Sequence, residues 1–228
     1  MFFDMNYLWF VLIPTMLLSF GVQMYLRSTF AKWSGVRNSA NLVGPQVAQA
    51  LFSRTSLDDI PVQRVPGALT DHFDPTTNVV RLSDPVSSQA SVAAMAVTAH
   101  ELGHVQQYQS RSPLIAMRSF LIPAMRLSPT VSYFLIMVGL FMQLTGLLWA
   151  GILFFGVSVI FSLLTVPVEI DASRRGLILL REANLLQTQD DERGAKAVLT
   201  AAALTYIAAL VTSVLTLLYY VNLAQRRG

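Results

Sequence analysis

The stretch His100-Glu101-Leu102-Gly103-His104 holds the residues of this chain best placed to do chemistry. On a helix, positions i and i+4 share one face, so both imidazoles can reach one metal ion, while Glu101 points to the side and can take a proton from water. Two neutral imidazoles and a carboxylate base form the core of zinc-dependent peptide-bond hydrolysis. The chain has three histidines and four glutamates among 228 residues. Scattered at random, they would give this pattern in roughly one such chain in a thousand. The plainer explanation is a solvated helix that carries two histidines by chance.

A catalytic zinc takes three protein ligands and keeps one position open. The chain has no cysteine, so every ligand must be a histidine or a carboxylate. The third ligand lies outside the motif, and the candidates are a remote carboxylate or His72. Glu169 is the strongest, within Val166-Pro167-Val168-Glu169-Ile170-Asp171-Ala172-Ser173-Arg174-Arg175. A carboxylate this close to hydrocarbon is costly unless something compensates it, and a metal would. The opposing explanation is a helix that starts after Pro167, where acidic residues favour the macrodipole. Donors to a developing oxyanion are sought among His72, Tyr206, Arg174 and Arg175. Each has a structural alternative: a turn histidine beside Asp74-Pro75, packing within a span for Tyr206, and membrane-surface anchoring for the arginines.

The elements that must hold these residues are largely apolar. Hydrophobic residues make up 54% of the chain and charged residues 13%, where a soluble domain carries about 25% charged; the mean hydropathy is +0.52. Three segments carry no charge: Met5 to Leu26, Leu127 to Val168 and Ala197 to Gln225. A spanning helix needs about 20 apolar residues. Segments 5–26 and 197–225 are thus one transmembrane helix each, and 127–168 is a hairpin of two. A break near Thr145-Gly146 or Ala150-Gly151 is expected from the turn preference of glycine. The first segment is not a cleavable signal peptide, because Asp4 precedes it without Lys or Arg and no small-residue cleavage site follows.

Charge orients the chain. Nine Lys or Arg lie in 27–126 and five in 174–196, against Arg226 and Arg227 in the C-terminal tail. The positive-inside rule puts 27–126 and the connector 169–196 in the cytoplasm and the N-terminus outside.

Region 27–126 has mixed signals. Gly44 to Ser53 has helical spacing, and Gln63 to Val65 and Asn78 to Leu82 read as short strands. Pro66-Gly67 and Asp74-Pro75-Thr76-Thr77 are turn signals. Asp84-Pro85 ends the second strand, and Ser87 or Ser88 is expected to cap an alanine-rich helix that carries the metal motif to about Gln109. Its small residues favour close packing around a buried site. Leu114 to Leu127 reads as an interfacial helix or as the start of the second span. Asn78 to Leu82 is a candidate edge strand for an extended substrate. There is no internal repeat and no low-complexity stretch.

Four stretches together carry a resemblance: Leu69-Thr70-Asp71-His72-Phe73-Asp74-Pro75, Ala99-His100-Glu101-Leu102-Gly103-His104, Val166 to Arg175, and Ala201-Ala202-Ala203-Leu204-Thr205-Tyr206. In sequence and in order they resemble the YugP-like family of bacterial membrane zinc metallopeptidases, which is more distantly similar to the HtpX and CAAX-prenyl proteases. The resemblance implies that His100, His104 and Glu169 bind zinc, one ion per chain, and that Glu101 is the base. It implies location in the bacterial inner membrane. The distant relatives carry an aspartate four residues after the glutamate ligand; this chain has Ser173 there, and Asp171 is the acidic residue left to support a ligand from behind.

The expected architecture is therefore a mostly α integral membrane protein, with about four transmembrane helices and a small α+β zinc-peptidase domain at the membrane surface. Its expected partners are a protein or peptide substrate and the lipid bilayer, with no nucleic acid; the sequence carries no signal for oligomeric state. The rival reading is a metal-binding membrane protein without hydrolysis, such as a transporter. Transporters place ion ligands inside spans near the midplane, whereas Gln106, Gln107, Tyr108 and Gln109 follow the motif here. An intact Glu101 argues against a dead scaffold.

Overall fold

The structure is a computed structural model that describes residues 5–226. Asp4 and Arg227, used in the charge argument, lie outside the described residues. The chain is mostly helical with one small sheet. Among the described residues, four stretches are long and apolar enough to cross a membrane: Met5–Ser34, Pro113–Phe141, Thr145–Glu182 and Gln189–Gln225. Two compact units form. One comprises the chain up to Val22, Ala116–Pro167 and Thr205 onward, and the other Gln23–Ile115 with Val168–Leu204.

The first apolar stretch is helical beyond the expected end at Leu26. It consists of α1 (Met5–Tyr7), a π-helical turn (Leu8–Leu12) and α2 (Ile13–Ser34). Arg27 and Lys32 therefore stand on a helix.

The apolar unit is built around the hairpin of α6 (Pro113–Phe141) and α7 (Thr145–Glu182). Leu114 to Leu127 is part of one continuous helix with the second span, although Pro123 and Pro129 lie inside it. The break falls at 142–144, where Gln143 takes a left-handed φ of 57°. It does not fall at Ala150-Gly151. Gly151 stays helical because it is a packing position: a Cβ there would stand 2.7 Å from Ile136 Cγ1 and 2.9 Å from the Ile136 nitrogen. Gly139 likewise leaves room for the Leu148 backbone, 2.7 Å from its absent Cβ. Small residues let helix backbones approach in lipid, where no hydrophobic effect drives them together. The Ser132 hydroxyl donates to the Gly151 carbonyl at 2.8 Å, and the Ser128 hydroxyl to the Phe154 carbonyl. Ile136, Leu148, Ile152 and Ala224 make the buried centre. Phe120, Phe141 and Leu153 point outward at 82, 77 and 73% exposure, a distribution that suits a lipid surround.

The second unit begins with α3 (Gly44–Arg54), close to the expected Gly44 to Ser53. The sheet comprises β1 (Val62–Val65), β2 (His72–Asp74) and β3 (Val79–Ser83), in the order β1-β3-β2. β1 runs parallel to β3, and β2 antiparallel to it. The expectation that Asn78 to Leu82 is an edge strand is thus corrected. β3 is central and buried along most of its length, because β2, three residues that end where a turn signal begins, covers its outer side.

Asp84–Ser88 is a short helix of its own, α4, and the metal-motif helix α5 runs Val92–Gln109. Its cap is Ser91, whose side chain accepts from the Ala94 N–H at 3.1 Å. Ser87 and Ser88 do not cap it: their hydroxyls are spent on the carbonyls of Leu82 and Asp84. Ala93, Ala94, Ala96 and Ala99 are all buried, and Leu51, Val80, Leu82, Met95, Leu102, Leu179, Leu180 and Leu185 complete this core. α8 (Gln189–Gln225) follows α7 after a turn in which Asn184 adopts a φ of 54°.

Candidate metal centre

Two glycines bring α5 against the 168–182 part of α7. A Cβ on Gly103 would stand 2.2 Å from the Ala172 carbonyl oxygen, and one on Gly176 2.6 Å from that of Ala99. The first distance is far inside van der Waals contact, so only glycine fits. Contact this close lets short side chains from the two helices meet.

His100 and His104 stack edge to face, 4.8 Å between ring centres. Each Nε2 lies 3.3 Å from one oxygen of Glu169. Ligand atoms of a tetrahedral zinc with bonds of about 2.0–2.1 Å lie roughly 3.3 Å apart, so the spacing suits that ion. Among the described residues, the three donor atoms of His100, His104 and Glu169 fall within 4.8 Å of one another, and His72 stands outside the group. Glu169 is only 2% exposed. It is not at a helix start: α7 is helical from Thr145, with Pro167 inside it, so the macrodipole explanation fails. Its burial is explained by what its oxygen faces.

The imidazoles are held from behind. The Nδ1 of His100 lies 3.1 Å from Ser173 Oγ. The Nδ1 of His104 lies 3.0 Å from the side-chain oxygen of Gln107. Asp171 does not meet a histidine; it accepts from the Gln107 amide at 2.8 Å and from Arg175 Nε at 2.7 Å. In the metal-free chain burial alone would push His104 down, but the facing carboxylates of Glu169 and Glu101 outweigh it and hold the ring above its ordinary value. A divalent cation held between these groups would take the place of that proton.

Glu101 is tied to the sheet: the Phe73 backbone N–H on β2 donates to its Oε2 at 2.9 Å. Burial pushes its carboxyl above the usual glutamate range, against the charges of His100 and His104. β2 is fixed in turn by Asp71, which accepts from the Ser83 N–H and hydroxyl at 2.7 and 2.8 Å, and by Phe73 packing edge-on to Tyr108 at 5.7 Å.

The remaining candidates are placed as follows. His72 is exposed on β2, and its Nδ1–H donates to the Thr70 carbonyl at 2.9 Å, which leaves Nε2 outward. Arg174 is exposed, while Arg175 is engaged by Asp171, Gln106 and Ser110. Tyr206 lies half-buried on the part of α8 that belongs to the apolar unit. Sequence reasoning missed Gln107, Ser173 as a histidine partner, and the Phe73 N–H. The first two carried a signal: Gln107 stands three residues after His104, and Ser173 four after Glu169, each one helical turn away.

The family described as "putative neutral zinc metallopeptidase" matches residues 8–225. The "putative membrane protease YugP" of Bacillus subtilis (strain 168) is 37% identical over 212 residues, which is 93% of this chain and 94% of that protein. No solved structure matches the chain. With a match along nearly its whole length to that family and to that relative, this membrane protein with a His-His-Glu cluster belongs to the neutral zinc metallopeptidase family.

Proposed function

We propose that the chain is a membrane-bound, zinc-dependent endopeptidase of the kind that joins H-E-x-x-H to a remote glutamate, and that it cuts membrane or membrane-proximal proteins. The observation that carries this reading is the convergence of His100 Nε2, His104 Nε2 and Glu169 on one point, with the carboxylate of Glu101 beside it. One zinc per chain held there supplies a Lewis acid that polarises the scissile carbonyl and acidifies water.

The protein's own groups do the rest. Glu101 takes the proton from the attacking water and delivers it to the departing amine. The Phe73 N–H holds one of its oxygens, which fixes the direction of the other. His72, Tyr206, Arg174 and Arg175 remain the candidates for a donor to the oxyanion.

Glu101 and Glu169 should fail differently. Glu101→Gln keeps zinc and loses at least about a hundredfold in peptidase rate. Glu169→Gln loses zinc affinity together with activity. Zinc content and hydrolysis measured side by side on both variants decide the matter; full zinc and activity in Glu169→Gln would remove it from the site.

The same reading puts 27–126 and 169–196 on the cytoplasmic side of a bacterial inner membrane, on the strength of the charge asymmetry. Reporter fusions at residue 60 and near Ala150 should give opposite signals. Alkaline phosphatase activity from the fusion at residue 60 would reverse the topology.

A further inference from the structure

Gln107 is the most fully enclosed amide near the cluster, at 0% exposure. A buried primary amide has two donors and an acceptor to satisfy, and leaving any unmet is costly. Its nitrogen donates to the Val168 carbonyl at 2.8 Å and to Asp171 Oδ2 at 2.8 Å. Both partners are acceptors only. Flipping the amide would set its oxygen against two other oxygens with no proton between them, so its orientation is fixed by chemistry. The amide oxygen therefore faces His104 Nδ1, which must be the donor in the 3.0 Å contact. A neutral His104 with its proton on Nδ1 has a bare Nε2, and that is the nitrogen 3.3 Å from Glu169.

We propose that Gln107 is a positioning residue for the metal site: its amide locks His104 in the tautomer and ring orientation that present Nε2 to the metal, and Asp171, clamped by Arg175, locks the amide. This rests on the zinc-site reading above and deepens it. The two histidines then have unlike supports, a hydroxyl from Ser173 behind His100 and a relay of amide, carboxylate and guanidinium behind His104. Arg175 gives the relay a fixed end: its Nε donates to Asp171 at 2.7 Å, and its Nη1 reaches Gln106 and Ser110 at 3.4 Å. α5 and α7 thereby share the work, since Gln106, Gln107 and Ser110 stand at the end of one and Asp171 and Arg175 on the other.

The test uses the full-length protein in detergent micelles. Zinc affinity is read by competition with a chelator, the thermal midpoint is read without metal, and cobalt(II) absorption reports ligand geometry. Gln107→Met keeps the volume and removes both donors and the acceptor. Its zinc affinity should fall about 10–100-fold, the usual range for outer partners of a ligating histidine. The cobalt spectrum should change in shape as well as intensity, which a loss of packing alone would not produce. Asp171→Asn should weaken zinc in the same direction by less. The double variant should be no worse than Gln107→Met alone, because the two residues act through one chain of bonds. If Gln107→Met does not fold, Asp171→Asn and Arg175→Lys still test the outer relay, with weaker zinc expected and wild-type affinity in both overturning it. Wild-type affinity and an unaltered cobalt spectrum in Gln107→Met overturn the proposal while leaving the zinc site intact. No zinc in the wild type overturns the metal reading and the relay with it, and zinc without hydrolysis overturns the peptidase reading alone.

Discussion

The contact of α5 with α7 and the contact of α6 with α7 are made by the same device. Each uses a pair of glycines: Gly103 and Gly176 in the first, Gly139 and Gly151 in the second. In both, a Cβ would stand 2.2–2.7 Å from its nearest neighbour. What differs is the polar content. Around Gly103 and Gly176 lie His100, Glu101, His104 and Gln107 from one helix and Glu169, Asp171 and Ser173 from the other. Around Gly139 and Gly151 the helix-to-helix polar contacts given by side chains include those of Ser128 and Ser132, each bonded to a backbone carbonyl. Close approach therefore sets distances without setting function. In the hairpin it satisfies hydroxyls and packs apolar side chains. In the other contact it brings three ligand atoms to a spacing that suits one small cation.

Breaking the first contact should have the larger effect. In Gly103→Ala the new methyl meets a helix backbone atom, the Ala172 carbonyl oxygen, which cannot rotate away. The helices must part. Overpacking of this kind costs about 3 kcal/mol or more, a drop of roughly 6–12 °C in Tm for a chain of this size. Separation also pulls Glu169 from the two histidines, so zinc should be lost even at temperatures where the variant is folded. Zinc retained at full occupancy would mean that the ligands adapt and that the contact does not set their spacing.

Gly151→Ala is the matching change in the hairpin. Its nearest neighbour is Ile136 Cγ1, the side-chain end of a residue that can shift, with the Ile136 nitrogen next at 2.9 Å. A cost of about 1–2 kcal/mol is expected, with zinc content unchanged. Thermal scans and metal analysis on the two variants together sharpen the comparison. If Gly151→Ala lost zinc as fully as Gly103→Ala, the two contacts would not be functionally distinct.

The comparison also explains what could be read in advance. The H-E-x-x-H helix was legible because its spacing is a geometric rule, and it ends at Gln109, where its end was expected. The four apolar stretches were legible because bilayer thickness sets their length. Glu169 was legible as a candidate by residue but not by setting. Pro167 reads as a helix start in water, yet inside a long apolar helix it is tolerated, so Glu169 came out in a helix interior. Gly151 read as a turn for the same reason: glycine serves both turns and close packing, and only the partner helix decides which. β2 is three residues long, too short for alternation to register, and Asp74-Pro75-Thr76-Thr77 concealed it. Gln107 had only its spacing, three residues after His104, to mark it; its burial and partners come from α7, more than sixty residues away in the chain.

The smallest expected effect concerns β2, the strand that supplies the Phe73 N–H to Glu101 without belonging to either glycine contact. Asp74 closes this strand against its neighbours. Its carboxylate accepts from Arg81 at 2.9 Å, from the Thr77 hydroxyl at 2.7 Å and from the Thr76 N–H at 2.9 Å. The Arg81 guanidinium first, then the Thr77 and Thr76 donors, hold this carboxyl well below its ordinary value of 3.8. The folded pKa is depressed, so the stabilisation is present above that ordinary value and is lost as pH falls through and below it. Asp74→Asn should therefore lower Tm slightly at pH 7, as removal of a partly exposed ion pair does. The difference from wild type should shrink as the pH is taken down to 3 and lower. Zinc content should not change, because the ligands are set by α5 and α7. The peptidase rate should drop modestly, since a looser β2 holds the Glu101 carboxylate less firmly. Zinc loss in Asp74→Asn would show that the sheet sets the site as much as the glycine contact does, and a Tm difference independent of pH would show that the Asp74 charge is not what ties β2 to β3.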